Sequence, residues 1–258
     1  MKLRAPLVSL ALSAAFSAGL AAQTVVVTPS NPQGWSGATY GPTFTSPGVG
    51  ASVGITSTYP RSGSGSVEMG LATAQDNEAD WSMSFSNGGY SLASVTTLAY
   101  DWLRSSSSTT NGIIMPAFAL GLNDGRYLVY ERAYNQAGNA PADAWVTSDI
   151  LNGNFWFTGN GTGVCGSYGA FQTLSYFNAN CYEDTAVVTS LTAFIGYTQA
   201  GSFYGAVDNV SFGVDEGTPT TWNFEPDASS VVPEPASIVL FGAGLAGVAA
   251  VRRKRRQA

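Results

Sequence analysis

The chain has 258 residues, 45% of them hydrophobic and 12% aromatic, with 11 basic and 17 acidic side chains and a formal net charge of −6. Histidine is absent, which excludes Ser-His-Asp and Cys-His catalysis in their usual forms and every His-ligated zinc site. The two cysteines are too few for a closed metal site.

Residues 1–22 read as a secretory signal peptide. Lys2 and Arg4 form a positive start, residues 7–20 are apolar, and small residues at 19–22 place cleavage near Ala21 or Ala22. Seven of the basic residues lie in the two ends of the chain. Between them, residues 23–230 carry only Arg61, Arg104, Arg126 and Arg132 against sixteen acids, a net charge of −12. A body so acidic repels nucleic acid and anionic lipid, and suits an exported protein or one that binds cations.

Residues 23–230 are long enough for one domain with a sizeable core. Strand-like stretches follow one another, separated by Gly, Ser, Asn, Asp and Pro. The first is "GSVEMGLA", in which alternation puts Glu68 on the polar face. In "DNEAD", Asp76, Glu78 and Asp80 would share a side if extended, and paired carboxylates about 5 Å apart can hydrolyse glycosides. The segment reads instead as a solvated turn before the strand "DWSMSFS"; Glu131, Glu183 and Asp184 also read as solvated. The E-x-D-x-E order of laminarinase-like jelly rolls is absent.

"VTTLAYDWLR" places Leu98, Tyr100 and Trp102 on one face and Ala99, Asp101 and Leu103 on the other. "SSSSTT" at 105–110 reads as an exposed loop, and "GIIMPAFALGL" and "GRYLVYER" as strands. Trp102, Tyr127, Tyr130, Trp145 and Trp156 are candidates for stacking on sugar rings. Core packing is the expectation for at least half of them, and Tyr127 and Trp145, near loop ends, are the ones expected at the surface. In an exported chain, Cys165 and Cys181 are expected to pair as a disulfide rather than remain free thiols. The loop they close holds "FQTLSYF", which predicts one helical turn.

"LTAFIGYT", "FYGAVDNVSFGV" and "TTWNF" complete the strands. If the second alternates strictly, Asp208 shares a face with Tyr204, Ala206, Val210 and Phe212. A buried carboxylate is costly unless satisfied. An arginine could pair with Asp208, backbone amides could cap it at a bulge, or Ca²⁺ could bind it, with Glu68 as a further ligand. The "VDNV…TWNF" ending resembles the last strands of carbohydrate-binding jelly rolls of the lectin and glucanase type. That resemblance implies a structural calcium near Asp208. The fold expected is all-β: a jelly-roll-like β-sandwich over residues 23–230, with an N-terminal signal helix and a single C-terminal transmembrane helix.

The last segment, 231–258, has its own logic. Gly242, Gly244 and Gly247 match G-x-G-x-x-G, but only eleven residues follow, too few for another strand of a dinucleotide fold. Residues 236–251 are free of charge and span roughly 24 Å as a helix, to which Arg252, Arg253, Lys254, Arg255 and Arg256 add snorkelling reach and a cytoplasmic anchor. Pro233 and Pro235 flank Glu234 and stiffen the chain just before this segment. This order of parts resembles the PEP-CTERM sorting signal of exopolysaccharide-producing Gram-negative bacteria. The resemblance implies recognition by an exosortase-type membrane protease, cleavage near 233–235, a transient stay in the inner membrane, and delivery to the cell surface or extracellular matrix. The expected role is a non-catalytic surface or matrix protein with weak binding of extracellular polysaccharide. The alternative is a jelly-roll glycoside hydrolase or lyase.

Overall fold

A computed structural model describes residues 22–38, 50–73, 77–158, 165–166, 168–197 and 200–228. The predicted signal helix, up to residue 21, and the sorting segment 231–258 lie outside the described residues, as does Asp76. Among the described residues, no helix is long and apolar enough to cross a membrane.

Among the described residues, fourteen strands and one α-helix follow in order: β1 (Gln23–Val27), β2 (Trp35–Ala38), β3 (Ala51–Thr56), β4 (Ser66–Leu71), β5 (Asn77–Ser84), β6 (Tyr90–Ser91), β7 (Val95–Arg104), β8 (Ala117–Leu122), β9 (Tyr127–Tyr130), β10 (Val146–Asp149), β11 (Phe155–Phe157), α1 (Leu174–Cys181), β12 (Val187–Tyr197), β13 (Phe203–Val214) and β14 (Thr220–Phe224). They form two seven-stranded sheets, so the chain is a β-sandwich. The second sheet runs β11-β9-β8-β12-β5-β2, with β6 also paired to β12. The first is built on β13, whose one edge takes β7 and then β10.

The other edge of β13 is a fork. β4 pairs with Phe203–Val207 and β14 with Val210–Phe212, in tandem along the same strand. β3 continues beyond β4, and β1 lies parallel to β14. Between the two branches the pairing of β13 with β7 slips, between Asp208 and Ser211, and Asn209 takes a left-handed φ of 48°. Asn tolerates that conformation better than most residues. The bulge re-aims the strand. Val207 and, beyond the bulge, Val210 and Phe212 join the core, whereas Tyr204, Ala206 and Asp208 lie on the other face of the sheet, where of the three only Tyr204 is exposed. Strict alternation therefore breaks at Asn209, and Asp208 does not share a face with Val210 and Phe212.

The core lies between the sheets. The alternation of β7 holds: Leu98, Tyr100 and Trp102 are fully buried. Burying such a side chain contributes about 1.5–3 kcal/mol. The polar tips are satisfied too, with the Tyr100 hydroxyl donating to Pro116 O at 2.7 Å and Trp102 Nε1 to Ser148 Oγ at 2.9 Å. Strand β8 starts only at Ala117, because Pro116 has no amide to give a ladder and residues 111–114 form a turn.

The serine-rich loop after β7 is not simply exposed. Ser105, Ser108 and Thr110 are buried around Arg104, which is 5% exposed. Its guanidinium donates to Ile114 O at 3.0 Å, Ser105 O at 3.2 Å and Thr110 O at 2.9 Å. Cys165 and Cys181 form a disulfide, with Cα atoms 5.4 Å apart. The expected helical turn is a full α1, capped by Thr173 Oγ1, which accepts the Tyr176 amide at 3.3 Å.

Candidate functional site

The outer face of the second sheet gathers most of the chemistry. Strand register sets its floor: Tyr127 pairs with Gly121 and Gly121 with Ser190, while Val129 pairs with both Trp156 and Ala119. A Cβ on Gly121 would lie 3.3 Å from the Tyr127 ring and 2.1 Å from Ser190 Oγ, so the ring lies close over the glycine. Tyr127 is half-buried.

Glu131 follows β9 on this face. Its Oε1 accepts Trp156 Nε1 at 2.8 Å. Burial pushes its carboxyl up, and the indole hydrogen bond opposes that shift. The carboxylate borders a pocket whose other walls include Ile113, Ile114, Ala117, Arg132 and Gly196. Glu131 is therefore half-buried and held in place, not solvated as expected.

Glu78 and Asp80 depart further from that expectation. Strand β5 begins at Asn77, so alternation turns Ala79 and Trp81 inward and puts both acids on the outer face. Glu78 is 0% exposed and Asp80 2%. Among the described residues, no group apart from the neighbouring Glu78 carboxyl hydrogen-bonds to the Asp80 oxygens. Burial first, and the Glu78 charge second, push the Asp80 carboxyl up to about 8. The Tyr127 phenol is raised by burial and then by the charges of Asp80 and Glu78.

The disulfide loop brings aromatic residues to the rim of this face. Tyr168 is 63% exposed and stands edge-on to Trp156 at 5.1 Å between centroids. Tyr134, 39% exposed, stacks on Phe171 at 4.2 Å, and its hydroxyl is hydrogen-bonded to that of Tyr168. Arg126 holds the loop at its start. It donates to Cys165 O at 2.9 Å, pairs with Asp124 at 2.6 Å, and lies over the Phe157 ring at 4.3 Å. Tyr134, Tyr168 and Phe171 lie outside the strands, where sequence periodicity gives no signal.

The remaining predicted residues lie elsewhere. Trp102 and Tyr130 are core. Trp145 precedes β10 of the first sheet; its Nε1 donates to Pro60 O at 3.1 Å, and Arg61 lies over its ring at 5.9 Å. Tyr127 and Trp145 thus belong to different sheets and form no common site. Glu68 Oε2 accepts the hydroxyls of Thr56 and Thr58, both at 2.8 Å.

Asp208, fully buried, accepts the Phe224 amide at 2.9 Å and the Ser62 amide at 3.2 Å. Burial pushes its carboxyl up to about 6, and the backbone amides hold it from rising further. Of the three ways to satisfy it, backbone capping at a bulge is the one observed. Arg61 pairs at 2.8 Å with Asp101 instead, which Thr147 Oγ1 also reaches. Among the described residues, no three His, Cys, Asp or Glu side chains are grouped to hold a metal. Calcium also takes amide and carbonyl oxygens. Two buried oxygens on either side of Phe224, Asn223 Oδ1 and Glu225 Oε1, have no partner. The Glu68 carboxylate is committed to the hydroxyls of Thr56 and Thr58.

Known proteins offer these comparisons. Solved structures similar to this chain include a family 11 carbohydrate-binding module from Clostridium thermocellum, bound to a β-1,3-1,4-mixed-linked tetrasaccharide. It is 16% identical, with 70% of this chain and 89% of that one covered and a TM-score of 0.41. The CBM22-1 xylan-binding domain of Paenibacillus barcinonensis Xyn10C is 15% identical over 68% of this chain and 85% of its own, with a TM-score of 0.33. A β-1,2-glucanase from Parabacteroides distasonis is 12% identical over 69% of this chain and 23% of its own, with a TM-score of 0.40. No curated protein matches the sequence. One family does match, over the proline pair, the apolar run and the basic end: residues 231–256 are a PEP-CTERM protein-sorting motif, the mark of an exported protein processed by an exosortase.

Proposed function

We propose that the body, residues 23–230, is a non-catalytic glycan-binding domain that the sorting motif delivers to the cell surface or extracellular matrix. In this reading, residues 1–22 are a signal peptide and 236–251 a transient inner-membrane helix. The observation that carries the proposal is the outer face of the second sheet. The Tyr127 ring lies over Gly121, Glu131 is presented by Trp156, and exposed tyrosines stand at the rim. Aromatic faces pack against the C–H faces of sugars, and a few fixed polar groups select hydroxyls.

Charge narrows the ligand. Each of the four arginines in residues 23–230 already has protein partners. Arg61 pairs with Asp101 and Arg126 with Asp124. Arg104 donates to backbone carbonyls, and Arg132 donates to Gln136 and Gly138 O. An anionic polymer finds no uncommitted arginine there, so the ligand is uncharged or cationic.

Binding is favoured over cleavage because the close pair of acids on this face, Glu78 and Asp80, is 0% and 2% exposed and closed to a polymer, and because Glu131 stands far from it. Glu131 and Asp80 stand at strands separated by β8 and β12. Three strand spacings amount to roughly 14 Å, against about 5–9.5 Å between the carboxyls of glycoside hydrolases. A structural calcium belongs to the proposal as an ion of the fork, held by Asp208, Asn223 and Glu225. Glycan-array binding of the full chain in mild detergent, alongside reducing-sugar release, tests the reading. Binding lost with Tyr127→Ala and Glu131→Gln supports it. Sugar release abolished by a single carboxylate substitution would replace it with the hydrolase.

A further inference from the structure

Tyr134 and Tyr168 come from segments far apart in the chain and meet at the surface. Their hydroxyls are hydrogen-bonded to each other, and their ring centroids are 6.2 Å apart at 78°. Both rings are braced: Tyr134 stacks on Phe171, and Tyr168 stands edge-on to Trp156 and Phe171. Two further ties hold the segments in place. The disulfide anchors the loop carrying Tyr168, and Asn135 bonds to Asn154 in both directions, Nδ2 to O at 3.0 Å and amide to Oδ1 at 2.7 Å. A contact between two exposed phenols adds little to stability in water, because water can serve each hydroxyl equally well.

The pair has a chemical capacity beyond any stabilising one. The positions ortho to a phenol's hydroxyl carry much of the spin when the phenol is oxidised by one electron, and two such radicals couple through those carbons. In this pair the ortho positions flank the hydroxyl contact, and Tyr168 is open to a small oxidant. We propose that Tyr134 and Tyr168 form an oxidative modification site, at which extracellular hydrogen peroxide, acting through a haem-type one-electron oxidant, joins the two rings in an intramolecular dityrosine.

The chemistry balances. Each phenol loses one electron and its hydroxyl proton, one C–C bond forms between the ortho carbons, and the two ortho hydrogens shift as protons to the phenolic oxygens, which restores aromaticity and the hydroxyls. Hydrogen peroxide takes up the two electrons and two protons and leaves as two waters. The product ties residues 132–134 to the loop at 165–173, which the disulfide already fastens at Cys165. Such a bond resists reductants that open the disulfide. It suits a protein exposed outside the cell, and does not depend on what the body binds.

The test treats the full chain, purified in mild detergent, with hydrogen peroxide and a haem peroxidase. The readouts are dityrosine fluorescence, intact mass and the identity of joined peptides after proteolysis. The expected result is monomer lighter by two hydrogens, with the peptides of Tyr134 and Tyr168 joined. Tyr134→Phe and Tyr168→Phe each remove the product, while Tyr204→Phe, at an exposed tyrosine of the other sheet, leaves it unchanged. Unchanged melting of the phenylalanine variants separates lost chemistry from lost folding. Covalent dimers without the internal bond, joined peptides from other tyrosines, or undiminished product in Tyr168→Phe would each overturn the assignment.

Discussion

Asp208 and Phe224 are joined where the first sheet divides: the Phe224 amide donates to Asp208 Oδ1 at 2.9 Å, at the end of β14. The other carboxylate oxygen takes the Ser62 amide, ahead of β4. Two strands that meet end to end along a third leave backbone donors that no ladder can reach, and a buried donor must find a partner. One carboxylate therefore serves both branches of the fork. Asp208→Ala leaves the buried Phe224 amide unpaired and frees the amide of the exposed Ser62, and is expected to lower unfolding stability by about 1–3 kcal/mol, read by urea denaturation. A loss near zero would mean that the branches do not depend on the carboxylate.

The same fork gives calcium a measurable role. If Asn223 Oδ1 and Glu225 Oε1 complete a cation site with Asp208, added calcium raises the melting temperature, and Asn223→Ala removes most of that rise. Glu68→Gln leaves it in place, because Glu68 is bonded to Thr56 and Thr58. Melting that ignores calcium in the parent chain excludes the ion.

Stability should fall as pH rises through the neutral range. The Asp80 carboxyl is raised from 3.8 to about 8 and that of Asp208 from 3.8 to about 6. Between the unfolded and folded values, the native state holds protons that the unfolded chain has released. The derivative of unfolding free energy with pH is then negative, by up to about 1.4 kcal/mol per pH unit for each such proton. The slope spans about pH 4–6 for both groups together and continues to about pH 8 for Asp80 alone. Asp80→Asn is expected to flatten the upper part of the curve and to stabilise the chain at the alkaline end. A denaturation midpoint that stays level from acid to neutral pH would contradict the burial of Asp80 beside Glu78.

How much of this was legible in the residues can be argued strand by strand. β7, β13 and β14 begin and end where the period-two pattern does, because each is long or flanked by turn chemistry. β2 and β3, reading WSGA and ASVGIT, gave no signal, since edge strands rich in Gly and Ser carry little alternation. The acids of the candidate site misled for a different reason. Whether Glu78, Asp80 and Glu131 are solvated depends on what strands distant in sequence lay beside them, and no local pattern holds that information. Asn209 is the opposite case: an Asp-Asn pair inside an apolar strand is bulge chemistry, and the left-handed turn there follows from it. The aromatic rim of Tyr134, Tyr168 and Phe171 is assembled by a disulfide and an irregular loop, and only the cysteine pairing was visible in advance.

That disulfide should matter to stability and to the rim together. Closing 16 positions of sequence separation stabilises by about 3 kcal/mol in the chain-entropy picture. Replacing Cys165 and Cys181 by serine is expected to cost about that much. It should also increase the solvent quenching of tryptophan emission, since Tyr168 would no longer be held against Trp156. Stability lost without a fluorescence change would place the loop's order in Arg126 and its contacts rather than in the sulfur bridge.

Arg104 sets the last test, because its burial breaks a common rule. A buried cation is normally paired with a carboxylate, yet Arg104 is surrounded by backbone oxygens of the serine-rich loop and of Ile114. Burial lowers its pKa, but an arginine stays charged, and a planar guanidinium can serve several carbonyls at once. A lysine has one nitrogen and cannot reach them together. Arg104→Lys is therefore expected to destabilise the chain by about 2–3 kcal/mol despite keeping the charge. It should also open residues 105–110 to protease, with cleavage mapped by mass spectrometry. If the loop stayed resistant in the lysine variant, its order would come from the bonds of Ser108 and Thr109 to β13 and the residue before it.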